Sequence, residues 1–175
     1  MARFARSAPA LLTGLLLSLT SPIQGGMQGN TADRVKFSVQ LSDSTLSPGR
    51  ALDVALTLRI DKGWHVIANP PSLDFLIPIT AEAVLDQGSL EFTSRYPEAE
   101  RKLDLGLDKA IGVYENGAVS RSTLAPVRLP LGRTEGQIVF SLRAQACSDT
   151  GVCLRPATIR IDVPVHFADR PDKPE

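Results

Sequence analysis

Alternating apolar and polar residues run through most of the chain and predict β-strands. In Val35–Leu41, for example, Lys36, Ser38 and Gln40 separate apolar residues, and a period of two residues is typical of a strand with one buried face. The same pattern predicts strands at Leu52–Ile60 and at residues 64–68, 79–85, 90–93, 112–114, 119–129, 138–144 and 159–165. Short strands divided by turn residues, without a long helix, predict an all-β protein with an immunoglobulin-like β-sandwich fold.

Two segments break this pattern. Residues 69–72 contain Pro70 and Pro71, and proline lacks the N–H group that a central strand needs. Residues 94–110 are irregular and charged, which predicts a long loop with a helical turn near residues 98–102.

The N-terminal residues predict a cleaved signal peptide, and the C-terminal residues predict a flexible tail. Arg3 and Arg6 precede an apolar stretch at residues 8–19, and Gly25 and Gly26 follow it. This order is typical of a secretory signal peptide, here over residues 1–26, with an uncleaved anchor helix as the alternative. We expect one domain at residues 33–167, a flexible tail at residues 168–175, and a periplasmic location, where thiols are readily oxidised.

Composition narrows the classes of partner and cofactor. Lys plus Arg equals Asp plus Glu at 19 each, so charge gives no reason to expect a nucleic acid partner. No apolar run after the leader is long enough to span a bilayer. The sequence contains no metal-binding, phosphate-binding or hydrolase motif of known spacing. We therefore expect no metal, no organic cofactor and no transmembrane segment in the mature chain.

The two cysteines, Cys147 and Cys153, flank the turn-forming residues 148–151. We expect them to pair at the tip of a hairpin. So small a ring stabilises a fold by only roughly 2–2.5 kcal/mol, whereas an exposed disulfide is open to attack by a thiol. The residues alone leave three functions open: thiol–disulfide exchange, a binding or scaffold domain braced by the disulfide, and Cu(I) handling with His65.

Three motifs in the same order resemble the N-terminal domain of DsbD, a bacterial thiol–disulfide reductase. The specific one is QAC at residues 145–147 followed by CLRP at 153–156, similar to the family's QACxxxxxCLPP. The others are GWHVIANPP at residues 63–71, and RYP at 95–97 followed by VYE at 113–115. Together they span most of the mature chain, although Ile67 stands where tyrosine is common and Arg155 where proline is usual.

The resemblance implies an immunoglobulin-like fold and a protein-disulfide reductase activity within an electron relay. The pair would accept electrons from a thioredoxin-like domain or a membrane thiol reductase, and pass them to oxidised periplasmic proteins. Cys153 would form the mixed disulfide and Cys147 would resolve it. The donor would be a separate protein, because the chain has neither the transmembrane segments nor the further domain with a CxxC motif of a whole DsbD.

The resemblance implies that His65, Ile67 and residues 103–111 support the pair, whereas Arg155 and Asp149 are singled out by their positions beside the cysteines. His65 and Ile67 would face the cysteines, where His65 could favour a thiolate, although a surface histidine is the alternative. Arg155 could act likewise or be solvated, whereas Asp149 would disfavour the thiolate. Tyr114 belongs to the VYE marker. Residues 103–111, with the acids Asp104 and Asp108, correspond to a cap that shields the pair, or to an ordinary mobile loop.

Overall fold

Twelve β-strands and one short 3₁₀ helix make up the secondary structure that a computed structural model describes for residues 29–104 and 107–168. The helix is Thr31–Asp33. The strands are β1 (Val35–Leu41), β2 (Thr45–Leu46), β3 (Leu52–Ile60), β4 (Trp64–Ile67), β5 (Thr80–Leu85), β6 (Ser89–Thr93), β7 (Glu100–Asp104), β8 (Lys109–Tyr114), β9 (Val119–Arg128), β10 (Glu135–Ala144), β11 (Ala146–Ser148) and β12 (Ala157–Phe167).

Two of the three four-stranded sheets form a sandwich. The first sheet has the order β1-β3-β9-β6 and the second has the order β2-β12-β10-β5. Their alternating apolar residues meet in the main core, where Phe92 of β6 contacts Phe140 of β10 edge to face at 5.9 Å between ring centroids. The prediction of an all-β, immunoglobulin-like sandwich is confirmed. No helix within the described residues is long and apolar enough to cross a membrane.

The third sheet, with the order β11-β4-β8-β7, positions the cysteines. Its strands alternate between two buried faces. Val66, Tyr114 and Ala146 point into the main core. Their neighbours Ile67, Val113 and Cys147 belong to a separate apolar cluster. Successive side chains of a strand point to opposite faces, so this sheet divides the core of the sandwich from the cysteines.

The irregular segment at residues 94–110 was the main error of the sequence prediction. Glu100–Asp104 is strand β7, which pairs with β8 from Glu100↔Val113 to Asp104↔Lys109. The expected helical turn is therefore absent at residues 98–102. As the edge strand of its sheet, β7 leaves most of its residues exposed, so it has no alternation of apolar residues to reveal it. The predicted leader, and all of the tail except Ala168, lie outside the described residues.

Candidate functional site

The two cysteines form a disulfide across a small hairpin, as the sequence predicts. Cys147 lies on β11 and Cys153 lies opposite it in an antiparallel bridge. Two backbone hydrogen bonds flank the disulfide: Leu154 N–H donates to the Ala146 carbonyl, and Ser148 N–H donates to the Val152 carbonyl, both at 2.8 Å. The hairpin is thus held by main-chain bonds as well as by the disulfide.

The two ends of the disulfide differ in exposure. Cys147 is 1% exposed and packs with Ile67, Ile111 and Val113, each 0% exposed, in what we call the cysteine cluster. Leu73, Leu76 and Leu107 pack against this cluster. Cys153, by contrast, is exposed. An incoming thiol therefore reaches the disulfide from the Cys153 side.

His65 lies beside Cys147 on the same face of the third sheet. The two residues are directly opposed in the pairing of β4 with β11, and opposed residues of an antiparallel pair have neighbouring side chains. His65 is 2% exposed, and its Nδ1 lies 3.4 Å from Asp149 Oδ1. The alternative of a surface histidine is therefore wrong.

Lys102 connects β7 to the cysteine hairpin. Its ammonium group lies 2.7 Å from Asp149 Oδ1 and also contacts Glu115. The hydrogen bond from Lys102 lowers the pKa of Asp149 against the opposing effect of burial. Burial lowers the pKa of Lys102, but its bonds to Asp149 and Glu115 outweigh this and raise it. The Lys102 ammonium group beside Asp149 reduces the expected effect of this carboxylate on a nearby thiolate.

The 3₁₀ helix lies against the base of the cysteine hairpin. Thr31 is 0% exposed. Its hydroxyl accepts a hydrogen bond from Ala146 N–H at 2.9 Å and donates to the Arg155 carbonyl at 2.8 Å. The helix itself is fixed by a capping box between Asn30 and Asp33, a reciprocal arrangement that satisfies backbone groups at a helix start.

Comparison with known proteins identifies the family. Residues 32–164 match the family described as thiol:disulfide interchange protein DsbD, N-terminal. The chain belongs to this family. No curated protein matches the sequence.

Solved structures that resemble the chain include two N-terminal domains of bacterial proteins. The N-terminal periplasmic domain of ScsB from Proteus mirabilis is 15% identical with a TM-score of 0.49, and the match covers 77% of this chain and 46% of that one. The chain thus spans about half of that structure. The Neisseria meningitidis DsbD N-terminal domain in the reduced form is 19% identical with a TM-score of 0.38, over 74% of this chain and 89% of that one.

Among the residues that the DsbD resemblance singled out, the structure places His65 and Ile67 beside Cys147. Tyr114 lies on the opposite face of the third sheet, in the main core. Its hydroxyl donates to the carbonyls of Asn69 and Pro97, and burial raises its pKa. Tyr114 therefore supports the fold on which the cysteine cluster is built.

The other residues singled out in the sequence lie around the site rather than in the cluster. Arg155 follows the hairpin with an exposed side chain, and its carbonyl accepts from Thr31. Asp108 is exposed near the β7–β8 turn with a φ of 51°. The backbone of Asp104 pairs with Lys109, but its side chain lies outside the described part of the structure.

The segment predicted as a cap or a mobile loop, residues 103–111, is mostly a β-hairpin. Leu103 and Asp104 end β7, and β8 begins at Lys109. The loop prediction was therefore wrong for these strand residues. Leu107, in the connection between them, packs against the cysteine cluster.

Sequence reasoning missed Lys102 and Thr31. Lys102 lies in a charged segment without periodicity, so no pattern marked it. Thr31 had a weak marker, because Asn30 and Asp33 have the spacing of a capping box. Within residues 29–104 and 107–168, no group of three or more His, Cys, Asp or Glu side chains could hold a metal ion.

Proposed function

We propose that the chain works in the periplasm and passes electrons from a thioredoxin-like donor to oxidised envelope proteins through Cys147 and Cys153. Membership of the DsbD N-terminal family supports thiol–disulfide interchange as the general activity. The observation that carries the proposal is the asymmetry of the disulfide, with Cys153 exposed and Cys147 buried. A protein thiol can then attack one sulfur while the other remains sheltered to resolve the intermediate.

The exchange transfers two electrons in each of two steps, first from the donor to the chain and then from the chain to a client. A donor thiolate attacks Cys153 Sγ, the disulfide breaks, and Cys147 leaves as a thiolate that takes up a proton. The second thiol of the donor then releases the chain as a dithiol and becomes a disulfide itself. On a client, the Cys153 thiolate attacks the client disulfide, and Cys147 attacks Cys153 to restore the pair. These steps need no organic cofactor.

His65 fits the role of a residue that assists Cys147 as a leaving group. Burial in an apolar cluster disfavours a thiolate, whereas a neighbouring imidazole favours one. The opposed positions of His65 and Cys147 place the imidazole on the face where that charge develops. Asp149, in contact with Nδ1, would hold the ring in orientation.

A purely structural disulfide explains the arrangement less well. The hydrogen bonds at Ala146 and Ser148 already hold the hairpin. The two cysteines are also only 6 positions apart in the sequence. In the chain-entropy model, a disulfide that closes so small a ring stabilises the folded state by roughly 2–2.5 kcal/mol. A disulfide that adds so little to stability is explained better by exchange chemistry.

Trapping of mixed disulfides tests this function. We expect the Cys147→Ser variant, exported in a bacterial host, to form a disulfide-linked complex through Cys153 with a thioredoxin-like protein. The matched Cys153→Ser variant should form little of it, because its remaining thiol is buried. Non-reducing electrophoresis and mass spectrometry identify the complex. Absence of any complex with Cys147→Ser, together with a wild-type disulfide that resists reduced thioredoxin, would overturn the proposal.

A further inference from the structure

The hydroxyl of Thr31 joins the two chain segments that enter and leave the cysteine hairpin. Ala146, which donates to it, immediately precedes Cys147, and Arg155, which accepts from it, follows Cys153 by two residues. Thr31 N–H donates to the same Arg155 carbonyl at 3.1 Å. One buried side chain thus bridges both sides of the redox loop at its base.

The surroundings of Thr31 reinforce this bridge. Asn30 and Arg155 form a parallel β-bridge, and a Cβ atom at Gly29 would lie 3.0 Å from Leu154 Cδ2. The start of the described chain therefore packs directly on the segment that follows Cys153. On the hairpin itself, the Gln145 side chain donates to the Leu154 carbonyl at 3.0 Å.

From these contacts we infer that Thr31 is a positioning residue, which keeps Cys147 within reach of Cys153 after the disulfide is reduced. Reduction removes the covalent link, but it removes none of the hydrogen bonds made by Thr31. The two thiols then remain adjacent, and their high effective concentration favours return to the disulfide. It also speeds the attack of Cys147 on a mixed disulfide at Cys153, which expels the partner as a thiolate. This inference rests on the proposed exchange at the same site.

The equilibrium with glutathione isolates this effect from any protein partner. The reaction converts the protein disulfide and two glutathione thiols into a protein dithiol and one glutathione disulfide. We expect Thr31→Val, which keeps the side-chain shape but loses both hydroxyl bonds, to shift this equilibrium towards the dithiol by roughly three- to tenfold. The direction follows because the disulfide still closes the oxidised hairpin, whereas the reduced hairpin of this variant is held by its main-chain hydrogen bonds without the Thr31 hydroxyl and opens more often.

Two control variants separate positioning from general destabilisation. Thr31→Ser retains the hydroxyl, so its equilibrium should stay near that of the wild type. Thr57→Val changes a strand threonine on the first sheet and should also leave the equilibrium unchanged. A folded Thr31→Val protein with the wild-type equilibrium would refute the positioning role.

A measurement on the unmodified protein covers the case in which Thr31→Val fails to fold. We expect the Ala146 amide to remain protected from hydrogen exchange after reduction, because its acceptor is the Thr31 hydroxyl. Loss of that protection on reduction, with the rest of the fold intact, would overturn the inference. Neither measurement needs a donor protein, so the positioning role can fail while exchange with thioredoxin succeeds, and the reverse.

Discussion

Cys147 and Cys153 lie opposite each other in one hairpin, yet the first is 1% exposed and the second is exposed. The difference arises because Cys147 belongs to a strand of the third sheet, whereas Cys153 is on the returning side of the loop. The sheet therefore leaves Cys153 as the more accessible end of the disulfide.

This asymmetry predicts unequal alkylation of the reduced protein. We expect iodoacetamide to modify Cys153 at least roughly tenfold faster than Cys147, since thiol reactivity follows exposure and thiolate character. Peptide mass spectrometry at short reaction times measures the two rates. Equal rates would show that the cysteine cluster does not shelter Cys147 in the reduced state.

The contact between Lys102 and Asp149 predicts that β7 restrains access to the hairpin. Replacing Lys102 with methionine removes the ion pair. We expect a neutral phosphine to reduce the disulfide of this variant roughly two- to fivefold faster, a factor that corresponds to the interaction energy of a partly exposed ion pair. Lys102→Arg keeps the charge and should react like the wild type. A Lys102→Met rate equal to that of the wild type would mean that the pair does not limit access.

The lowered pKa of Asp149 predicts a pH-dependent contribution to stability. Because its folded pKa lies below the usual 3.8, the contribution is present above pH 3.8 and is lost as pH falls through the lower folded value. The free energy of unfolding in urea should therefore differ between wild type and Asp149→Asn above pH 3.8, and converge at more acidic pH. The groups that face this carboxylate are Lys102 and His65. A difference that stays constant across this range would contradict the expectation.

We expect truncation of Ile67, a member of the cysteine cluster, to lower the free energy of unfolding. Ile67 is 0% exposed, and truncation of a buried isoleucine to alanine costs about 2–5 kcal/mol of unfolding free energy. Val84 of β5 is 61% exposed, so Val84→Ala should change stability by less than about 0.5 kcal/mol. Chemical denaturation measures both variants. A similar small loss at Ile67 would show that the cluster is loosely packed.

The sequence predicted the sandwich and the cysteine hairpin because both depend on local patterns. Alternation in Val35–Leu41 and Leu52–Ile60 marks strands with one buried face, and the residues between the cysteines form a turn. Strand β7 escaped prediction because an edge strand exposes most of its side chains. Lys102 and Thr31 act on the hairpin from positions distant in the sequence, and no local pattern records such a contact.

The ring closed by the disulfide encloses only the hairpin itself, whereas the cysteine cluster is assembled from three strands of the third sheet. Forming the covalent link therefore brings no distant parts of the chain together. We therefore expect the polypeptide to reach its native arrangement with both thiols still reduced, so that an oxidant meets a chain that is already folded. Folding of this chain and formation of its disulfide would then be separable events.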